Sequence, residues 1–342
     1  MAASLPLTIR SAGAVTSVGL TLDATCAAIR AKLTLPTTTR FMDPAGNWIA
    51  GHQVPLGVAV RGVRRLAALA IRAVNDCLER VAGAPSTSRW PLLLCIPASD
   101  EHGRPTDLAR RLVAEIVALG HPAIDGEPEI IAEGRVGIGV ALHRARHRLQ
   151  AERAPAGVLI AAVDSLLTGP ALGALAAGHR LLSPTNSDGF MPGEAATCVL
   201  VTGPRPQAQC LVTGLGFAVE PAHIDSDLPL RGNGLQQAFA AALADAGRAM
   251  GDLDWRIADL SGEQYYFREA ELAFMRTLRT RKETFDLWHP AECIGEVGAA
   301  IGPLLLAVAR QAWLKAYAPG RRALCHLGSD SGRRVAIVLE AV

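Results

Sequence analysis

Short apolar runs alternate along the chain with longer stretches in which Ala and Leu recur at helical spacing. The short runs fall at 7–13, 92–96, 158–163, 196–201, 211–218, 257–260, 323–327 and 335–339. They are apolar at nearly every position, not at every second one. A strand of that kind is buried on both faces, as happens when helices cover a sheet on both sides. The periodic stretches predict helices near 63–82, 105–118, 136–152, 232–249, 268–280 and 297–316. Strand runs alternating with helical ones predict an α/β fold.

The order of elements repeats. Residues 1–203 and 208–342 each begin with a strand and end with a strand closing as a hairpin, and the break falls in Thr202-Gly203-Pro204-Arg205-Pro206. The second copy opens with Val212-Thr213-Gly214-Leu215-Gly216, which echoes Ile9-Arg10-Ser11-Ala12-Gly13-Ala14-Val15. A βαβαβ duplication of this kind predicts two similar sheets side by side with helices sandwiched between them, in one compact unit. The main irregular connections are expected at 83–91 and 280–296. The stretch 297–309 is the most apolar, and its length suits a core helix rather than a membrane span.

Composition narrows the function classes. The chain has 342 residues, 50% of them hydrophobic but only 4% aromatic, so its core is expected to be Ala, Leu and Val. Lys and Arg number 34 against 32 Asp and Glu, a net charge of +2 that gives no pull toward nucleic acid or membrane. Arg61, Arg64 and Arg65, and Arg144, Arg146 and Arg148, are read as solvated helix faces. The seven cysteines form no Cys-x-x-Cys pair and sit in apolar runs, the pattern of reduced, buried thiols in a cytoplasm. Residues 1–10 carry no basic segment followed by an apolar one, so no signal peptide is expected. His143 and His147 share a helix face, but the neighbouring arginines argue against a metal there. Gly13 and Gly19 do not build a phosphate loop. No cofactor is expected.

Four segments carry a resemblance. They are residues 9–19; 157–165 followed by Leu181-Leu182-Ser183-Pro184-Thr185-Asn186-Ser187-Asp188-Gly189-Phe190-Met191-Pro192-Gly193-Glu194-Ala195; Ile294-Gly295-Glu296-Val297-Gly298-Ala299-Ala300-Ile301-Gly302; and 327–339. In order and spacing they resemble the β-ketoacyl-ACP synthases. The resemblance implies a thiolase-like fold, two βαβαβ halves in an αβαβα layered sandwich. The second segment is the most specific, and it reads as architecture. Asp188-Gly189 signals a turn before a strand, Gly193 permits close backbone approach, and Glu194 among apolar residues needs a buried partner.

The same resemblance marks what is missing. The nucleophilic cysteine of that family falls on Gly134, in Ile131-Ala132-Glu133-Gly134-Arg135-Val136-Gly137, and glycine has no side chain to acylate. In a looser alignment the first histidine falls on Glu263. The second falls on Glu296, the lysine on Ala291, and the phenylalanine gate on Gly328-Ser329-Asp330-Ser331-Gly332. Carboxylates repel the enolate oxygen that neutral histidines would hold, so the standard condensation is not expected. If chemistry persists, the fold implies acyl transfer of the 3-oxoacyl-ACP synthase type. Cys293 is either a replacement nucleophile or a buried thiol. Glu263 and Glu296 are either an acid/base pair with split pKa values or acids held by backbone amides at loop and helix starts. Together with Tyr265 and Asp330 they define a candidate residual pocket.

By resemblance, the chain implies a cytoplasmic homodimer with 127–132 near its interface. It implies a binding, scaffolding or accessory role, and a narrower likeness points to the short ketosynthase-like proteins encoded near type VI secretion spike and adaptor genes. A chain-length-factor-like partner of an active ketosynthase, or of an acyl carrier protein, is the alternative. No nucleic-acid or membrane partner is expected.

Overall fold

The computed structural model describes residues 5–57, 60–81, 88–101, 103–205 and 209–342. Parts of four sequence expectations lie outside the described residues: 1–4 of the N-terminal reading, Ala82 at the end of the helix expected over 63–82, 83–87 of the first irregular connection, and Pro206 and Ala208 at the break between the halves.

The first half runs β1 (Leu7–Val15), α1 (Leu22–Arg30), β2 (Thr37–Met42), β3 (Trp48–Gly51), α2 (Gly62–Glu79), β4 (Leu92–Ile96), α3 (Leu108–Leu119), β5 (Glu129–Ala132), α4 (Gly137–Gln150), β6 (Val158–Ser165), α5 (Gly169–Ala177) and β7 (Glu194–Thr202). The second runs β8 (Leu211–Val219), α6 (Asn233–Ala246), β9 (Trp255–Ala258), α7 (Gln264–Thr277), β10 (Leu287–Trp288), α8 (Ala291–Ile294), α9 (Ile301–Leu314), β11 (Arg322–Gly328) and β12 (Arg333–Glu340). Strand order is β5-β4-β6-β7-β1 in one half and β10-β9-β11-β12-β8 in the other. In both, the first three strands are parallel and the last two antiparallel.

The expected pair of separate sheets needs one correction. Leu7 pairs with Val212 and Thr8 with Leu211, which joins the halves into one ten-stranded sheet. Pairing β1 with β8 closes two sheet edges that would otherwise expose backbone groups. A ribbon of β2 and β3 stands apart.

Three hydrophobic clusters define the layers. The largest packs α4 and α9 between the inner faces of the two half-sheets. A second packs α2 and α3 on the outside of the first half, and a third packs α6 and α7 on the outside of the second. The result is the αβαβα sandwich. Helix α9 lies at its centre and is buried along nearly its whole length. Glycines set how closely helices approach the sheet. A Cβ at Gly13 would lie 2.3 Å from the carbonyl oxygen of Ala73 on α2, and one at Gly216 would lie 2.0 Å from that of Ala238 on α6. Both are shorter than any real Cβ contact, so the echoing glycines of β1 and β8 seat equivalent helices.

Two arginines expected on solvated faces are buried instead. Arg65 pairs with Glu194 and Arg146 with Asp245. Of the other members of their clusters, Arg61, Arg64 and Arg144 are exposed and Arg148 is half-buried. All seven cysteines are free and buried. Among the described residues, no helix is long and apolar enough to cross a membrane.

Candidate functional site

Strand β5 ends in a tight turn that launches α4 through a 3-10 turn at Gly134–Val136. Gly134 sits at its apex with φ +56°, a left-handed conformation that costs a side-chain-bearing residue energy. Space is not what excludes a side chain. A Cβ there would be 3.5 Å from Ala98 N and 3.6 Å from the Glu101 Oε2, both ordinary contacts.

The next residue dominates the site. The Arg135 guanidinium turns into three acids and a tyrosine drawn from four other segments. Its Nη2 donates to Asp330 Oδ1 at 2.6 Å and to the Tyr266 hydroxyl at 2.9 Å. Its Nη1 donates to Glu296 Oε2 at 3.3 Å, and Asp259 lies 3.8 Å from its Nε. The cation also lies 4.7 Å from the Tyr266 ring centre. Arg180 is a second cation in the network. It forks onto Glu263 and donates to Asp330 Oδ2 at 3.2 Å. Asp330 thus bridges two arginines and also accepts from the Tyr266 hydroxyl.

The electrostatics follow from this arrangement. Burial pushes the Asp330 carboxyl up, but Arg135 and Arg180 outweigh it and hold the group well below the usual carboxylate range. For Glu296, Asp259 and Glu263 burial wins over their arginines, and all three are raised. Arg135 is opposed by burial but stabilised by Tyr266, Asp330, Glu296 and Asp259, which raise it well above its ordinary value.

Each residue singled out from the sequence has a definite place. Glu296 accepts from the Gly298 amide at 2.8 Å as well as from Arg135, so it is held partly by backbone. Glu263 has no backbone donor for its side chain at the start of α7, and Arg180 takes that role. The two acids are not a bare carboxylate pair, because each has its own arginine. Tyr265 needs correcting. Its hydroxyl donates to the Ala222 carbonyl oxygen at 2.6 Å and accepts from Arg334, which is buried against Glu269, so Tyr266 is the tyrosine that reaches the site. Cys293 is packed in the central core, and burial followed by the Glu292 charge pushes its thiol up, away from a reactive thiolate. Ala291 opens the short α8 next to it.

The 188–194 segment positions the network. Asp188 Oδ1 accepts from Gln264 N at 2.7 Å and so caps α7 from a distant loop. A Cβ at Gly189 would be 2.7 Å from the Leu181 carbonyl carbon, and one at Gly193 would be 2.6 Å from the Ile294 carbonyl oxygen. Gly193 N donates to the Glu296 carbonyl oxygen at 2.8 Å, which fixes the Glu296 turn. Glu194 has the partner its burial requires. Arg65 donates to both its oxygens at 3.1 Å through Nε, and Ser165 and Val54 N add bonds at 3.0 Å.

Sequence reasoning missed Arg135 and Arg180. Arg135 follows the elbow glycine directly, and an arginine entering the core at a helix start is a signal that it will find carboxylates. Arg180 carries no comparable signal. Among the described residues, no group of histidine, cysteine and acid side chains is arranged to hold a metal ion.

No family model and no curated protein matches the sequence. Solved structures match the fold over its whole length. A type II PKS acyl-carrier protein in complex with its ketosynthase aligns at a TM-score of 0.78 and 15% identity, covering 99% of this chain and 100% of that one. A ketosynthase in complex with its chain length factor from Xenorhabdus doucetiae aligns at 0.77 and 12%, covering 99% and 98%. A β-ketoacyl synthase from Burkholderia phymatum STM815 aligns at 0.75 and 15%, covering 99% and 100%. The chain shares the thiolase-like ketosynthase fold.

Proposed function

We propose that this chain is a non-catalytic member of the ketosynthase-like proteins that acts by binding, as a scaffold or accessory subunit. One observation carries the reading. Where condensation would need a nucleophile and neutral hydrogen-bond donors, there is a side-chain-less elbow followed by Arg135 locked into Asp330, Tyr266 and Glu296. That guanidinium already spends three of its five N–H donors on two carboxylates and a phenol and is held in place by them, so it is not a neutral donor pair aimed at an enolate. The carboxylates around it would repel that enolate. Incubation of the purified chain with acyl-CoA and acyl-carrier-protein thioesters, followed by intact-mass measurement, is expected to show no acyl adduct. An adduct that vanishes in Cys293→Ala would instead make it an acyltransferase with a relocated nucleophile.

As a binding protein it works as a cytoplasmic homodimer joined through β5. Its likeness to the short proteins encoded beside secretion spike genes, carried by Ile294-Gly295-Glu296-Val297-Gly298-Ala299-Ala300, supports loading of a type VI effector or spike as its role. Co-purification with the adaptor or spike proteins of its own gene neighbourhood tests that narrower role.

A second reading has its own support. One of the fold neighbours is described as a ketosynthase in complex with its chain length factor. A chain with this fold and a blocked centre fits the silent half of such a pair. Co-expression with a catalytic ketosynthase distinguishes the two, since that reading requires a stable one-to-one complex and the first requires two copies of this chain.

A further inference from the structure

A cavity of about 630 Å³ opens between the β2–β3 ribbon, the first turn of α2, the loop after β4, the start of α3 and the β6–α5 loop. Glu101 and Asp164 line it, and so do Arg40, Arg61, Arg65, Arg104 and Arg111. Most of these cations have company. Arg65 is committed to Glu194, Arg111 lies 3.7 Å from Asp107, and Arg40 lies 5.0 Å from the Phe41 ring centre. Arg104 differs. Its Nε and Nη1 are both shut off from solvent, and neither has a hydrogen-bond partner.

A guanidinium stays charged in a protein, so burying two of its nitrogens unpaired is costly unless something enters to meet them. The loop cannot easily swing Arg104 away. Gly103, at φ +77°, lies so close to α5 that a Cβ there would be 2.5 Å from Ala171 N. A second feature points the same way. Helix α2 starts at this wall with Gly62 and Val63, runs 18 residues, has no side-chain cap and carries no acid in its first turn. Its free amides and dipole favour an anion. The acids of the lining oppose this weakly. Burial pushes Glu101 and Asp164 up toward their neutral forms, and Glu194 is spent on Arg65. Between the charged groups the wall is apolar, with Phe41, Leu66, Leu108, Leu166 and Leu167. The volume falls in the range of small-molecule sites, about 300–1,000 Å³.

We propose that this cavity binds an amphiphilic organic anion. Its carboxylate or phosphate head sits on the Arg104 fork and the first turn of α2, and its hydrocarbon body lies against Leu66, Leu108 and Leu166. A planar fork suits either head group, since both offer two oxygens.

Isothermal titration of the full chain with decanoate, decyl phosphate, decanol and inorganic phosphate tests this. The two amphiphilic anions are expected to bind at least about tenfold more tightly than decanol, the size of effect a charged hydrogen bond gives. Inorganic phosphate, which lacks a body, is expected to be weaker than decyl phosphate. The order of decanoate and decyl phosphate identifies the head group. Arg104→Met is expected to lose at least about tenfold in affinity for the anions and to leave decanol unchanged. The unliganded variant should melt at or above the wild-type temperature, because it removes an unpaired charge. Three results would overturn the site: decanol binding as well as the anions, Arg104→Met binding them as the wild type does, or that variant melting well below wild type.

Discussion

At the scale of single residues, the network around Arg135 makes the sharpest stability claims. Arg135 is the counter-charge shared by Asp330, Glu296 and Asp259, and its side chain is almost wholly buried. Arg135→Met leaves those acids without it, and breaking a buried pair by removing one partner costs about 3–5 kcal/mol. Urea unfolding followed by far-ultraviolet circular dichroism should show a fall of that size. Gly298 is a second pressure point. It has φ +53°, and a Cβ there would lie 1.9 Å from the Asp164 Oδ2. Gly298→Ala is therefore expected to cost more than the roughly 1 kcal/mol of backbone strain alone. Acid titration adds a third test. Asp164, Glu101, Glu296, Asp259 and Glu263 are all raised in the folded state, chiefly by burial. A raised carboxyl binds its proton more tightly folded than unfolded. Its contribution is therefore present below its unfolded value, about pH 4, and is lost as pH rises through the folded one. Asp330 is depressed and works the other way, losing its contribution only under strong acid. The urea midpoint should therefore rise as pH is lowered from neutrality toward the unfolded value of about 4. Asp164→Asn should flatten that slope, and an unchanged slope in the variant would remove Asp164 from the account.

At the scale of elements, the elbow between β5 and α4 separates geometry from chemistry. The turn has the strand–apex–helix form, and room for a Cβ remains at its tip. Gly134→Cys is expected to fold with a loss of about 1–2 kcal/mol, the price of φ +56° for a side chain. In a turnover assay it should still form no carbon–carbon bond, because Arg135 and its acids stay in place. Condensation by that variant would mean the glycine alone silences the site. The same element shows where sequence patterning succeeds and where it stops. The eight strands proposed from apolar runs all form, and seven are buried along nearly their whole length, because a strand covered on both faces must be apolar throughout; β8 departs from this and leaves Phe217 and Val219 exposed. Strand β5 escaped that test. Glu129 and half-buried Ile130 give it no continuous apolar run, and its place at the end of the sheet explains why. The ribbon strand β2 is mostly polar and exposed, β3 is only four residues long, and α1 and α5 are short helices set by Thr21 and Thr168 caps more than by periodicity. The acids of the site were legible as substitutions in motifs. Their arginines were not, since Arg180 reaches Glu263 across 83 positions and nothing local records that pairing.

At the scale of the whole molecule, the ten-stranded sheet leaves two edges, and they are not equivalent. One ends in β10, only Leu287–Trp288, which is blunted by its length. The other ends in β5, which presents Glu129–Ala132 without a lysine or proline inside the strand. An edge of that kind is a template for another strand unless something guards it. Its one acid is already neutralised by Arg144 and Arg148. A second copy pairing there would continue the sheet across a two-fold axis and bury the half-exposed Ile130 and Ala132. Light scattering after size exclusion is therefore expected to give twice the chain mass. Ile130→Lys is expected to give a single chain with unchanged circular dichroism. The lysine stem still covers its apolar neighbours, while its charge is directed against the incoming strand. A wild-type chain that stays single at tens of micromolar, yet forms a one-to-one complex with a catalytic ketosynthase through the same strand, would move β5 from a homodimer to the heterodimer of the second reading. Ile130→Lys would then have to abolish that complex, because both readings use the β5 edge.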